Sequence, residues 1–187
     1  MSDLKRFAAG FAFLLCVATT STATAQQLAP GQAEGAAFIG GVTDGGGFTF
    51  GGGIHYVYDA RWMFVGELGY LTGGDDFNGV VQGVGVGVES SAISVDLNAH
   101  YLFPPQSSSQ GLTPYLLVGL GILRGSATTT VFGTTTSVSD TDAGLNIGGG
   151  ARWQAGLNWG VQPELKVFVS DNSSVRFSVG LYYQFGR

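Results

Sequence analysis

Apolar and polar residues alternate along the end of the chain, in the stretch SVRFSVGLYYQFGR at 174–187. Because successive side chains of a β-strand point to opposite faces, a period of two separates these residues into one apolar face and one mixed face. The apolar or aromatic positions are Val175, Phe177, Val179, Leu181, Tyr183 and Phe185. The positions between them are Arg176, Ser178, Gly180, Tyr182 and Gln184. The pattern predicts a two-faced strand whose apolar side contacts either a protein core or lipid.

Seven further segments of about ten residues have strand character, and turn-like or polar stretches separate them. Helical periodicity is absent after residue 25. The eight predicted strands are 34–42, 48–58, 62–71, 92–102, 115–124, 143–153, 161–169 and 175–185. The sequence therefore predicts an all-β fold, and eight strands suit a closed, antiparallel, up-and-down barrel.

Two irregularities carry local predictions. The valines within 84–88 have the opposite parity to Ile93, which predicts a β-bulge at 89–91. Pro163 has no amide hydrogen, so we expect it near the start of its strand or at a bulge.

The connections between strands fall into two alternating sets. One set comprises 58–61, 103–114 and 154–160, and the other comprises 44–47, 72–91, 125–142 and 170–174. With the processed N-terminus in the periplasm, the second set faces outside, which agrees with short periplasmic turns and longer external loops. Because 72–91 and 125–142 retain alternation, both are predicted to form hairpins that project beyond the membrane.

The first 25 residues have the pattern of an export signal. Lys5 and Arg6 precede the apolar run 7–18, and small residues follow as far as Ala25. The apolar run is too short for a membrane-spanning helix, which needs roughly 20 residues. The predicted organisation is a signal peptide at 1–25, a short N-terminal segment at 26–33 and an outer-membrane β-barrel domain at 34–187.

Charged residues are scarce: Asp, Glu, Lys and Arg make up 11% of the chain. The surfaces of soluble proteins usually carry roughly 25–35%. A chain with so little charge lacks the polar surface of a soluble protein, and it also has no membrane-spanning helix. A transmembrane β-barrel accounts for both observations. The net charge of −5 also argues against nucleic acid as a partner, since phosphate binding requires clustered Lys and Arg.

Aromatic residues collect at one end of the predicted strands, beside the periplasmic turns. They are Tyr56, Tyr58, Trp62, Tyr101, Phe103, Tyr115, Trp153, Trp159, Tyr183 and Phe185. Such a girdle is typical of a membrane interface. The alternative is a soluble lipocalin-like barrel that buries its apolar face. The sparse charge, the girdle and the small residues of the polar face favour an apolar face that contacts lipid.

The mature chain resembles the small eight-stranded outer-membrane β-barrel proteins, the class of the OmpA-like transmembrane domain and OmpX. The most specific feature is VRFSVGLYYQF at 175–185, which is similar to the C-terminal strand that the β-barrel assembly machinery recognises in that class. The resemblance implies a location in the bacterial outer membrane, with outer-membrane lipid and that machinery as partners. It also implies an assembly signal formed by Val175, Phe177, Val179, Leu181, Tyr183 and Phe185.

Polar and charged residues of the strands are predicted to point into the barrel. They are Glu34, His55, Glu67, Asp96, Asn98, His100, Arg152, Glu164, Lys166, Arg176 and Gln184. Buried charges must be paired, and four acids nearly balance three bases. The hypothesis is a luminal polar network that fills the bore; the alternative is a narrow channel for ions or small solutes.

A catalytic interpretation has weaker support. Ser94, Asp96 and His100 share one strand face, but neighbours on a face are nearly 7 Å apart, at about 3.3 Å per residue. We therefore predict no catalytic, cofactor or metal site, and a lipid-modifying enzyme is the third functional hypothesis. The leading expectation is a structural or surface-interaction role, with 72–91 and 125–142 as candidate sites for an unidentified ligand.

Overall fold

A computed structural model describes residues 30–43, 47–73, 77–81, 84–103, 112–131, 134–171 and 173–185. The predicted signal peptide at 1–25 lies outside the described residues. The strands are β1 (Ala33–Val42), β2 (Phe48–Val57), β3 (Trp62–Thr72), β4 (Phe77–Val81), β5 (Val84–Leu102), β6 (Leu112–Val131), β7 (Thr134–Gln154), β8 (Trp159–Val169) and β9 (Ser174–Gln184). Among these residues, no helix is long and apolar enough to cross a membrane.

Eight of the strands close into a barrel. Each pairs antiparallel with its neighbour in the order β1, β2, β3, β5, β6, β7, β8, β9, and β9 pairs with β1. Following the register from Ala33 once round the ring leads back to β1 at Thr43, ten residues further along. An eight-stranded barrel of this kind has strands tilted by roughly 35–45° and an interior that side chains just fill. The predicted fold class is confirmed.

The outward face of the ring is apolar at every strand. One large aliphatic side chain per strand lies at middle height with 50–68% of its surface exposed. These residues are Ile39, Ile54, Leu68, Leu97, Leu120, Ile147, Leu165 and Leu181. On β6 this apolar band runs from Leu112 to Ile122, which matches the 9–11 residues of a tilted membrane-spanning strand. The barrel thus presents to its surroundings the face that a soluble protein would bury.

Aromatic side chains border the apolar band at both ends. Exposed rings at the periplasmic end include those of Tyr58, Trp62, Trp159 and Phe185. At the other end lie Phe48, Phe50 and Tyr70. The prediction was wrong for Tyr115, which is buried inside the barrel. Strand β6 is apolar on both faces, so parity alone did not show which face of this strand carried Tyr115.

Three strands continue beyond the apolar band on the external side. Strand β4 pairs with the outer part of β5, and β6 pairs with β7 as far as Val131 opposite Thr134. The two predicted hairpins are therefore present. The predicted bulge at 89–91 is wrong, because β5 and β6 keep one register from Val86 to Leu102. Outside the membrane the alternation of valines no longer has to match the lipid face.

Pro163 lies in the fifth position of β8, and no residue is inserted there. The register between β7 and β8 is the same on both sides of it, at Gly150 opposite Glu164 and at Trp153 opposite Val161. The pairs between these two are missing from the ladder. The expectation of a strand start or a bulge was wrong, because the barrel tolerates the missing donor as a local gap in the ladder.

Candidate functional site: the barrel lumen and the external hairpins

Lys166 lies at the centre of a group of buried charges in the external half of the lumen. Its Nζ donates hydrogen bonds to Oε2 of Glu67 and Oδ2 of Asp96, each at 2.8 Å. These residues come from β8, β3 and β5, and the tilt of the strands brings them to one height. We call Glu67, Asp96, Glu164, Lys166 and Arg176 the external ion cluster.

Arg176 joins two further carboxylates of this cluster. Its Nη2 donates to Glu164 at 2.9 Å and to the two oxygens of Glu67 at 3.1 and 3.2 Å. The guanidinium also lies over the ring of Phe38, 4.4 Å from its centroid. A planar guanidinium suits such a site because its several donors point in fixed directions.

Two amide side chains form hydrogen bonds with the external ion cluster. Asn146 donates to Oδ1 of Asp96 at 2.8 Å and to Asn98 at 2.9 Å, and Asn98 donates to Glu67 at 3.2 Å. Gly121 makes room for them, because a Cβ there would lie 3.1 Å from Nδ2 of Asn146 and in contact with Asp96. The small residues of the inward face therefore provide the volume that the charged side chains occupy.

A second group of charges lies nearer the periplasm. Nη2 of Arg152 donates to Glu34 at 2.6 Å, and Gln184 donates to the other oxygen of Glu34 at 3.0 Å. Nδ1 of His55 is 3.4 Å from Glu34, and the guanidinium of Arg152 stacks 4.1 Å above the ring of Tyr182. We call Glu34, His55 and Arg152 the periplasmic ion cluster.

Tyr115 joins the external ion cluster to His100. Its hydroxyl donates to Glu164 at 2.9 Å and accepts a hydrogen bond from Gln162 at 2.9 Å. Its ring is stacked on His100, with centroids 4.6 Å apart and planes inclined by 6°. Neither ring nitrogen of His100 has a hydrogen-bond partner among the described residues. His100 therefore contributes a flat packing surface at this level.

Apolar side chains fill part of the lumen at its periplasmic end. Val57, Met63, Val65, Leu102 and Leu117 form, with Tyr115, a buried cluster that is at most 3% exposed. Sδ of Met63 contacts Nη1 of Arg152 at 2.7 Å. We call these five residues the apolar plug. The apolar plug and the neighbouring periplasmic ion cluster are both almost completely buried.

The structure places all eleven sequence-predicted luminal residues inside the barrel. Ten of them belong to the two ion clusters or bond to them, and His100 stacks on Tyr115. Sequence reasoning missed the apolar plug, Tyr115 and Asn146. The parity that Met63 and Val65 share with Glu67 was a usable signal, because residues two apart on a strand share a face.

The geometry offers no support for a catalytic group on β5. Asp96 is engaged by Lys166 and Asn146, whereas His100 packs on Tyr115. Among the described residues, no three His, Cys, Asp or Glu side chains are grouped as a metal site. The charged side chains of the lumen are engaged in ion pairs with one another.

At the external end the lumen opens into a small cavity. It has a floor of Asp96, Asn146, Lys166 and Arg176 and apolar walls that include Leu71 and Phe168. The volume between the atoms, including the open mouth, is about 410 Å³. The cavity ends at the external ion cluster.

A closed barrel with an uncharged apolar exterior and a filled polar interior defines a transmembrane β-barrel of the outer-membrane type. The family model for the outer membrane protein beta-barrel domain matches residues 9–185. The chain belongs to this family, and it is accordingly a protein of the bacterial outer membrane. No curated protein matches the sequence.

Several solved structures share the fold. The N-terminal β-barrel domain of OprF from Pseudomonas aeruginosa has 20% sequence identity, with 83% of this chain and 98% of that chain covered and a TM-score of 0.57. Ail, the attachment invasion locus protein of Yersinia pestis, has 18% identity, coverage of 84% and 100% and a TM-score of 0.58. Neisserial surface protein A has 17% identity, coverage of 82% and 96% and a TM-score of 0.57. Likenesses at these identities establish the fold.

Proposed function

We propose that this protein acts at the cell surface through its external hairpins and that its lumen is a structural plug. The observation that carries the proposal is the division of the barrel into two parts. The lumen contains paired charges and, towards the periplasm, the apolar plug, whereas β4 to β7 extend well past the apolar band. Hairpins of this length are more than a tight turn requires, so they provide a surface for a partner.

The names of two structural relatives support a surface role. One is Neisserial surface protein A. The other is an attachment invasion locus protein, and its structure has also been solved in complex with the heparin analogue sucrose octasulfate. The described charges at the external end of the present chain are mainly acidic, namely Glu89, Asp140, Asp142 and Asp171 against Arg124. We therefore expect a partner different in charge from a sulfated sugar.

The experiment replaces 126–139 by a two-residue turn and measures adhesion of cells that express the protein. A matched variant, Lys166→Met, alters the lumen and leaves the hairpins intact. We expect the shortened hairpin to abolish adhesion while the barrel still shows its heat-dependent shift in gel mobility, and the lumen variant to adhere normally once inserted. Adhesion that survives the shortened hairpin would overturn the proposal.

A narrow channel is the second candidate, and the polar character of the lumen favours it. Planar-bilayer recordings on the same purified sample distinguish the two functions. A channel would conduct both before and after the hairpin is shortened, whereas a plugged barrel would conduct in neither case. A lipid-modifying activity has no observation in its favour beyond the location of the protein.

We also propose the route by which the protein reaches the membrane. Residues 1–25 direct export, and the apolar face of β9, from Val175 to Phe185, is read by the β-barrel assembly machinery. The support for the second step is that Leu181, Tyr183 and Phe185 are all more than half exposed on the outward face. A machine in the periplasm or the membrane could therefore contact them in a strand that has not yet closed the barrel.

A further inference from the structure

Strand β7 has a partner on only one side over its external half. It begins at Thr134, but its pairing with β8 begins at Leu145 opposite Val169. Among the described residues, the part of β7 from 134 to 144 pairs with β6 alone. This free edge is longer than an average strand of five or six residues.

The hydrogen-bonding pattern identifies the groups on that edge. Phe103 donates to the carbonyl of Pro114, so the even-numbered residues of β6 face β5 and the odd-numbered ones face β7. Ala155 donates to the carbonyl of Trp159, so odd-numbered residues of β7 face away from β6. The edge groups therefore belong to Thr135, Ser137, Ser139, Thr141 and Ala143.

One of these positions is already capped. The amide of Thr141 donates to Oδ1 of Asp140 at 2.9 Å. Thr135, Ser137 and Ser139 have no strand partner among the described residues for the N–H and C=O groups on that side. Three successive edge residues with free donors and acceptors form a template for an added strand.

The edge lacks the usual protection against strand addition. Natural edges carry Lys, Pro or a bulge, whereas 134–139 reads TTTSVS and pairs with β6 without interruption. Side-chain hydrogen bonds hold the hairpin in place, between the hydroxyls of Thr128 and Ser137 at 3.0 Å and of Thr130 and Thr135 at 3.2 Å. The edge is therefore ordered before any partner arrives, which lowers the entropic cost of binding.

We propose that the free edge of β7 binds an extended, basic segment of a partner protein as an added antiparallel strand. This inference rests on the proposed surface function and names the class of partner. Charge decides the basic character: Asp140 and Asp142 lie on β7 itself, Asp171 lies in the adjacent connection, and Arg124 is the cation among the charges described at this end. Backbone hydrogen bonds supply the affinity, and the acidic residues select the partner.

A second copy of the chain fits the edge less well. Two barrels in one membrane are inserted in the same direction, so their β7 strands run parallel to each other. An antiparallel pair would need a copy from an opposing cell. A separate segment has no such constraint and can approach in the antiparallel orientation.

The test uses the whole barrel in lipid nanodiscs and a labelled peptide, Lys-Thr-Val-Lys-Val-Thr-Lys. Ser137→Pro removes one edge donor without removing a backbone hydrogen bond to β6. Ser137→Ala is the matched control, because both variants lose the side-chain hydrogen bond to Thr128. We expect S137P to weaken peptide binding by at least about tenfold, and S137A to change it by less than about twofold. Infrared spectra with a labelled peptide carbonyl should show a new antiparallel strand on binding.

Two further peptides separate strand addition from simple charge attraction. One has Glu in place of Lys, and the other has Pro in place of the first Val. Both should bind at least about tenfold more weakly than the basic peptide. Equal binding of the proline peptide, or unchanged binding by S137P, would overturn the inference, as would cross-linking of two copies through position 137 without peptide binding. If adhesion is lost when the hairpin is shortened but is kept in S137P, binding at the edge of β7 is contradicted and the proposed surface function is retained.

Discussion

Lys166 compensates two buried carboxylates at once, so its removal should have a large effect. Lys166→Met retains most of the side-chain volume but leaves Glu67 and Asp96 without the cation 2.8 Å away. Removing one partner of a buried ion pair costs about 3–5 kcal/mol. We predict a loss of this size in the free energy of unfolding, measured by urea titration in lipid vesicles, and a lower temperature for the shift in gel mobility.

The control for this variant is Arg124→Ala, because Arg124 is exposed beyond the apolar band. Its effect should stay within about 0.5 kcal/mol. Adding Asp96→Asn to Lys166→Met should recover part of the loss, since it removes one uncompensated charge. A Lys166→Met protein as stable as the parent would show that the external ion cluster does not support the barrel.

Gly121 is the position where the packing of the lumen is most directly testable. Gly121→Ala brings a Cβ into contact with Asp96 and within 3.1 Å of Asn146 and Phe168. Overpacking of this kind costs about 1–3 kcal/mol. The matched control is Gly66→Ala on the outward face, where the nearest atom, from Leu97, is 3.7 Å away. We predict destabilisation by the first substitution only, measured by the same urea titration.

Strand β9 and the residue that follows it lead to a prediction about assembly. Phe185 follows β9, donates its amide to the carbonyl of Ala33 at 3.0 Å and packs against Tyr183. If β9 carries the assembly signal, Phe185→Ala should slow insertion in cells more than it lowers stability in vesicles. Tyr58→Ala is the control, because Tyr58 is also exposed at the periplasmic end but lies outside β9. Pulse-labelling followed by protease protection of the folded barrel measures the rate, and equal rates would contradict the prediction.

The elements could be predicted well from the sequence because lipid enforces the alternation. Between Leu112 and Ile122 every outward position must be apolar, so the parity of β6 persists through the membrane. Beyond the apolar band that constraint ends, which explains why the valines near Val86 suggested a bulge that the register does not contain. The gap at Pro163 escaped prediction for a related reason, since a closed ladder can lose one bond without changing register.

The sequence predicts which side chains point into the lumen, but it does not predict which of them pair with one another. Parity showed that Glu67 and Lys166 face inward, but the pairing of β3 with β8 residues depends on the tilt of the whole ring. A register shift of ten residues, from Ala33 to Thr43, decides which side chains share a height. Tyr115 and Glu164 meet over Gly150, which pairs with both of them, so this contact depends on the registers of β6, β7 and β8 together. A single strand does not contain this information.

At the scale of the whole molecule, the filled lumen leads to a prediction about ion conduction. The described interior holds four carboxylates against three Lys and Arg side chains, so it carries one excess negative charge when both histidines are neutral. The apolar plug packs against Arg152 of the periplasmic ion cluster and leaves little open bore there. The field of the excess charge favours cations. The intact protein should therefore show no steady current in a planar bilayer.

Truncating residues of the apolar plug tests both the absence of current in the intact protein and the preference of the lumen for cations. The triple variant Val57→Gly, Met63→Ala and Leu102→Ala truncates the three apolar side chains that are fully buried at the periplasmic end. We predict a measurable current that carries potassium in preference to chloride, read from the reversal potential across a salt gradient. A triple variant with the same loss of volume on the outward face, at Ile54, Phe64 and Leu116, should remain silent because it leaves the bore filled. A conducting parent, or a plug variant that prefers chloride, would mean that the buried charges line a permeable path instead of filling a closed one.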